Sequence, residues 1–370
     1  MWKKLFQEID YPAFLSMVFL ILLGLLLIYS ATLGSTPSKE ASIRLVSRQA
    51  VWAGISLFLF FLMASIDYRQ LPRFSSLIYF LMFLMLVLVL ILGKKTSGAQ
   101  RWFAIGPITI QPSEFAKIMV LITLSSFWAK NYQSANKLNI LFRSFVHIAI
   151  PLLLVFLQPD LGTSLTFLLL WLASLLFVGA KVKHIVAIAL SCIVFAIGAW
   201  HFNILRPYQK QRISAFLNPY SDPLGAGYHI IQSRIAIGSG EVWGKGLFKG
   251  TQNRLNYIPA QHTDFIFTVA GEELGFAGCL LILTLFFILI WRCFSTAIQT
   301  EDMLGQLIAA QVGVLLLFQA FVNIGMTLGL LPAVGIPLPF LSYGGSHLVS
   351  FCLMLGITQS IYRRRKKISF

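Results

Sequence analysis

Five carboxylates set the chemical question in this chain: Glu114, Asp160, Asp264, Glu272 and Glu273 lie within or beside long apolar runs. An ionised side chain at membrane depth costs about 2.5–3.5 kcal/mol or more, so each needs a partner or a purpose. Three of them share one stretch, QHTDFIFTVAGEELGF (residues 261–276), just before an apolar run. The run at 274–291 is long enough to span a bilayer by itself. Residues 264–273 are therefore expected to continue the same helix outward, to or above the headgroups. Thr263 reads as the cap of that helix and Asp264 as a first-turn residue, where the helix dipole favours the ionised form. Two readings stay open: capping and interfacial acids, or a carboxylate beside a wet cavity that accepts a proton.

The other acids also carry two readings each. In QPSEFAKIMVL (residues 111–121), Pro112 suits a first helical turn, and Glu114 and Lys117 fall on one face. They are either a self-neutralising pair or the charged wall of a cavity. Asp160, in LQPDLGTSL (residues 157–165), either caps the following helix or brings its carboxylate to the outer ends of neighbouring helices. His262 is a candidate proton relay or a plain loop residue. One histidine and scattered acids make no structural zinc site. No cofactor is required, although a Mg²⁺ or Mn²⁺ ion held by a carboxylate and a substrate pyrophosphate is conceivable.

The elements that must position these groups follow from composition. Hydrophobic residues make up 57% of the 370 and charged residues 11%, with mean hydropathy +0.79. Those values place the chain among all-α polytopic integral membrane proteins. Apolar runs between polar breaks predict about ten transmembrane helices, over 12–32, 47–66, 74–93, 112–130, 143–158, 161–180, 184–204, 265–291, 304–330 and 340–362. The run at 14–31 reads as the first of these rather than a secretory signal. Cys192, Cys279, Cys293 and Cys352 show no CxxC or metal spacing and read as packing residues.

The formal charge of +16 points to anionic lipid or an anionic lipid-linked substrate rather than nucleic acid, because the basic residues are spread among the loops. Lys3 and Lys4 near the start, and RRRKK at 363–367, put both termini in the cytoplasm. The same scheme places the segment 205–263, between the seventh and eighth helices, outside. It is a large extracytoplasmic loop that is basic and glycine-rich. Within it YHIIQSRIAIG (residues 228–238) reads as an amphipathic helix able to lie in the interface. The chain forms a single transmembrane domain over 1–370. SYGGS (residues 342–346) either packs helices closely or lines the cavity.

GAQRWFAIGPITIQPSEFAKI (98–118), QPDLGTSL (158–165), DPLGAGYHIIQSRIAIGSG (222–240), GKGLFKGTQ (244–252), HTDFIFTVAGEELG (262–275) and PLPFLSYGGS (337–346) together resemble the SEDS family of bacterial cell-wall polymerases. The match runs in order over nearly the whole chain and has the flavour of the elongation branch rather than the division branch. Ala260 and Gln261 depart from the charged residue expected before HTDF. The resemblance implies about ten helices in the bacterial inner membrane and a peptidoglycan glycosyltransferase that polymerises lipid II. It also implies a class B penicillin-binding protein as transpeptidase partner, together with other membrane proteins of the elongation complex. It makes Asp264 the catalytic residue and gives functional weight to Glu114, Lys117 and Asp160. Inversion at the anomeric carbon then needs one base, Asp264, and cations for the departing pyrophosphate. Arg101, Lys117, Arg212 and other basic residues of the 205–254 segment are candidates for that contact. Two rivals remain: a lipid II flippase, which needs a charged path into the cytoplasmic half, and a scaffold that only activates its partner.

Overall fold

Backbone polar groups in hydrocarbon must be satisfied within the protein, so the apolar runs fold as helices. The structure, a computed structural model, describes residues 8–36, 38–96, 99–106, 108–202, 207–223, 225, 227–255, 257–258 and 261–365. Lys3, Lys4, Arg206, Ala260 and residues 366–367 lie outside the described residues, as does the Cys192 side chain. Helices α1 (Tyr11–Ser35), α2 (Lys39–Ser65), α3 (Ser75–Leu92), α4 (Pro112–Asn131), α5 (Leu138–Leu157), α6 (Leu161–Phe177) and α7 (Val182–His201) form the first part. Short helices α8 (Pro207–Leu217), α9 (Tyr228–Gly238) and α10 (Thr251–Arg254) follow. Helices α11 (Ile266–Gln299), α12 (Met303–Thr327) and α13 (Gly345–Arg364) complete the bundle. Among the described residues, six helices are long and apolar enough to cross a membrane: α1, α2, the helical segment Tyr68–Leu92 that includes α3, α5, α11 and α12.

The boundaries moved where polar sequence still folds as helix. α2 starts at Lys39 rather than 47, because Ser38 caps it by accepting from the Ala41 N–H at 3.2 Å. α13 starts at Gly345 rather than 340, because Phe340 (φ 66°) and Gly344 (φ 162°, ψ 104°) lie outside helical geometry. Between α3 and α4 the chain forms a small antiparallel sheet that the apolar-run reading did not anticipate. Its strands are β1 (Lys94–Thr96), β2 (Ala99–Ile105) and β3 (Ile108–Ile110), in the order β1-β2-β3.

α12 is the hub of the bundle. Its most apolar window is 78% buried, against 17–44% for the other five candidate spans. It packs against α4, α6, α11 and α13, and its core residues Leu307, Ile308, Val312, Leu315 and Leu316 are fully enclosed. Cys279, Cys293 and Cys352 are buried free thiols in this packing.

The described residues between α7 and α11 form a folded cap over one end of the bundle. α9 buries Ile230, Ser233 and Ala236, and Ser233 Oγ donates to the Thr327 carbonyl at 2.6 Å. The helix is therefore seated on α11 and α12 rather than free at a lipid interface. Arg234 donates to the carbonyls of Leu328 and Gly329, closing the end of α12.

Glu272 and Glu273 anchor the remainder of this cap, which matches neither the reading of them as interfacial acids nor a place on the cavity wall. Both are almost fully buried. Glu272 Oε1 accepts from Lys245 Nζ at 2.8 Å, the Gln252 N–H at 3.0 Å and Thr251 Oγ1 at 3.1 Å. Glu273 accepts from the N–H groups of Phe248 and Gly250 at 3.0 and 3.3 Å and from Ser30 Oγ at 2.5 Å. The segment 241–246 also lies against a break in α11 at Gly275 (φ 65°, ψ −163°). There the Phe276 and Ala277 N–H groups donate to the carbonyls of Glu241 and Val242 at 2.9 and 3.0 Å. The part of α11 ahead of the break is thus a separate short helix, and only glycine fits the break. A Cβ at Gly275 would collide with the backbone of Gly244 and Val242. Gly275→Ala is expected to destabilise by about 1–3 kcal/mol from backbone strain alone, read as a lower thermal midpoint in detergent.

Candidate active site

Where α4, α6, α12 and α13 meet beneath the small sheet, they enclose a polar cavity of about 260 Å³. It is lined by Arg101, Glu114, Lys117, Asp160 and Asp264. A second void of about 20 Å³, beside the Asp10–Arg292 ion pair, is only water-sized.

Each charged group reaches the cavity for a local reason. Gln111 and Pro112 begin α4, placing Glu114 and Lys117 one turn apart with Nζ to Oε2 at 2.7 Å. Both are nearly inaccessible, and the same Oε2 accepts from His347 Nδ1 at 2.8 Å. Lys117 is thereby committed to Glu114, so its charge is largely spent within the protein. Asp160 caps α6 by accepting from the Thr163 N–H at 3.2 Å, and Gln111 Nε2 donates to its other oxygen at 3.2 Å. Both of its sequence readings hold, because the capping carboxylate also faces the cavity. Arg101, on β2, donates from Nε to the Gln158 carbonyl at 2.9 Å and from Nη2 to the Pro159 carbonyl. Its Nη1 stands 3.9 Å from Asp160 Oδ2. The sheet thus ties a guanidinium to the turn that carries Asp160.

Asp264 lies in the turn at 261–265, ahead of α11, rather than in its first helical turn. The helix begins at Ile266 after a Phe265 cap position without a side-chain bond, so Thr263 is not its cap. The carboxylate is half-buried at the cavity wall. Burial pushes its pKa up to about 6; the Asp160 charge adds to the rise, while Arg212 and Arg101 oppose it. Arg212, exposed on α8, donates to the Val334 carbonyl at 3.3 Å. A Cβ added to Gly335 would sit 3.4 Å from Asp264 Oδ2 and 3.9 Å from Arg212 Nη1, so the two charges flank that glycine. His262 does not line the cavity. Its ring meets Tyr343 edge-on at 5.6 Å, and burial pulls its pKa below the usual imidazole value. Glu272 and Glu273 likewise lie outside the lining, so of the three carboxylates in 261–276 only Asp264 belongs to it.

A sequence profile of the FtsW/RodA/SpoVE family, described as a cell cycle protein, matches residues 12–367. The chain belongs to this SEDS family. It is 39% identical over 350 residues to the peptidoglycan glycosyltransferase MrdB of Escherichia coli K12, covering 95% of this chain and 94% of that one. Stage V sporulation protein E of Bacillus subtilis is 36% identical over 93% of this chain and 94% of its own length. Among solved structures, a chain of a peptidoglycan synthase complex that coordinates polymerization and crosslinking matches with TM-score 0.79 and 29% identity, covering 96% of this SEDS chain and 98% of that one. The rod shape determining protein RodA of Thermus thermophilus matches with TM-score 0.70 and 27% identity, covering 97% and 98%.

Several lining residues escaped the sequence reading. His347 follows SYGGS directly and is an ionisable group inside an apolar helix, a signal that was available. Gln319 and Thr166 are polar residues in apolar runs that reach the same space. Tyr343, Gly344 and Ser346 line the cavity, while a Cβ on Gly345 would strike the Trp52 ring, so SYGGS serves both of its predicted roles. The Glu114–Lys117 pair makes a stability prediction. Glu114→Gln or Lys117→Met alone leaves a buried charge uncompensated and should cost about 3–5 kcal/mol, whereas the double variant recovers most of it. Thermal unfolding of the three proteins in one detergent checks this.

Proposed function

We propose that the chain is a peptidoglycan glycosyltransferase that polymerises lipid II into glycan strands for cell-wall elongation, with Asp264 as the general base. The observation that carries this reading is a carboxylate with pKa about 6 on the wall of a polar cavity that also holds Arg101. The curated relatives point the same way, since MrdB is named a peptidoglycan glycosyltransferase. Its 39% identity, against 35% for an FtsW of Trichlorobacter lovleyi, favours the elongation branch.

In this reading Asp264 takes the proton from the acceptor sugar's 4-hydroxyl as the oxygen bonds to the donor's anomeric carbon. The bond from that carbon to the undecaprenyl pyrophosphate breaks on the opposite face, inverting α to β. No second carboxylate nucleophile is needed. Arg101 and Arg212 are the cations for the leaving pyrophosphate, since Lys117 is held by Glu114. Asp160, Glu114 and Lys117 shape and polarise the cavity. A divalent cation, if bound, would be held by a carboxylate of the cavity wall and would supply positive charge to the departing pyrophosphate.

Ten helices (α1–α7 and α11–α13) cross the bacterial inner membrane, with both termini in the cytoplasm and the segment 205–263 outside. The cavity then opens at the extracytoplasmic surface, where lipid II presents its disaccharide. A class B penicillin-binding protein and other elongation-complex membrane proteins are the partners; the solved synthase complex, with its coupled polymerization and crosslinking, supports that pairing.

Purified protein co-expressed with its partner should convert labelled lipid II into glycan strands, and Asp264→Asn should abolish this while folding and partner binding persist. Bound lipid II without polymer from either protein would favour a flippase, and a fully active Asn variant would remove Asp264 as the base. The pH dependence has a fixed sign. A base works only when ionised, so the rate should rise with pH through about 6 and then level off. Asp160→Asn removes a repelling charge and should shift that limb to lower pH. Arg212→Gln removes an attracting one and should shift it to higher pH. Initial rates between about pH 5 and 8 decide both.

A further inference from the structure

Asp264 sits in a turn, and a turn holds a side chain only as firmly as its own backbone is held. The carbonyls of three successive residues in this turn are each bonded to a group far away in sequence. The His262 carbonyl accepts from the Tyr343 N–H at 2.8 Å. The Thr263 carbonyl accepts from Ser342 Oγ at 2.5 Å, and the Asp264 carbonyl accepts from Asn323 Nδ2 at 2.9 Å.

Two of these donors also bind the opposite cavity wall. Asn323 Nδ2 gives its second hydrogen to the Ile336 carbonyl at 2.8 Å, and Ser342 Oγ accepts from the Leu338 N–H at 2.8 Å. Asn323 and Ser342 are buried, and both line up between the turn and the segment 334–338, whose Gly335 and Ile336 face the cavity with Asp264. The amide orientation is fixed by chemistry. Both neighbours are carbonyl oxygens, so only the NH₂ end can face them. The Oδ1 atom is left buried without a hydrogen-bond partner.

We infer that Asn323 and Ser342 are positioning residues, which set the direction of the Asp264 carboxylate by clamping its turn to the 334–338 wall of the cavity. Neither touches substrate in this role. The inference rests on the transferase reading for its kinetic consequence, and on geometry alone for the clamp. A base displaced by about 1 Å can lose on the order of a hundredfold in rate with substrate affinity little changed.

The test uses full-length protein with its partner, in four forms: wild type, Asn323→Ala, Ser342→Ala and Gln311→Ala. Gln311 is a control on the same helix. It is as deeply buried as Asn323, has an orphan Oε1, and donates only to Ser125 Oγ, outside the cavity lining. Asn323→Ala and Ser342→Ala should each lower the turnover number by about ten- to a hundredfold with KM for lipid II within about threefold. They should also raise the rate at which a hydrophobic carbodiimide labels Asp264 severalfold, read by peptide mass spectrometry. Gln311→Ala should change neither. Turnover and labelling at the level of the Gln311 variant for both substitutions would overturn the clamp, as would a loss carried wholly by KM. If one variant fails to fold, the other decides. If wild type binds lipid II but makes no glycan, the transferase reading falls while the labelling comparison still decides the clamp.

Discussion

Compensation of buried charge governs this structure. A carboxylate removed from water must find donors or a cation, and each deeply buried acid here meets that demand differently. Glu114 shares one oxygen between Lys117 and His347. Glu272 and Glu273 recruit a lysine, one hydroxyl and three backbone N–H groups from the loop that covers them, and the Ser30 hydroxyl from α1. Asp160 uses its position as a helix cap. Asp264 stands apart: beyond a hydrogen bond with Thr263, its carboxylate lies at the wall of a polar cavity with a raised pKa, and the hydrogen bonds that fix its turn go to backbone carbonyls. The same physical demand therefore builds the scaffold and the site.

That division separates two functions which adjoining sequence had placed together. The stretch 261–276 looks like one cluster of acids, yet it faces two ways. Its first acid belongs to the cavity, while its last two hold the cap formed by residues 241–252. Several basic residues are likewise accounted for within the protein. Arg234 closes a helix end and Lys245 satisfies Glu272, so the count of cations near the site overstates the charge available to an anionic ligand.

Much of the fold was legible because a membrane helix announces itself by length and hydropathy. The spans over α1, α3 and α12 agree with the apolar runs to within a few residues. The start of α2 was missed because its first turns carry Glu40, Arg44 and Arg48, and the small sheet was missed because β1 and β3 have three residues each and the seven of β2, AQRWFAI, do not alternate. In the site, Glu114, Lys117 and Asp160 line the cavity, as does Arg101, named as a pyrophosphate contact, whereas Arg212, named with it, is not among the lining residues. Nor is His262, because a residue two positions from Asp264 in a turn points elsewhere. Asn323 was invisible for a different reason. Its meaning lies in two carbonyls, 59 and 13 residues away along the chain, and no local pattern encodes that.

The break at Gly275 bears on how this protein meets its bilayer. Membranes differ in thickness, and a spanning helix adapts mainly by tilting. Were α11 continuous, every degree of tilt would swing its N-terminal end, and the adjoining turn with it. Because the helix is interrupted, and the piece beyond the break is fastened to residues 241–246 and to α9, the lower segment can lean while the upper piece stays with the cap. The interruption acts as a mechanical insulator: the lipid sets the angle of the span, and the protein keeps the orientation of Asp264.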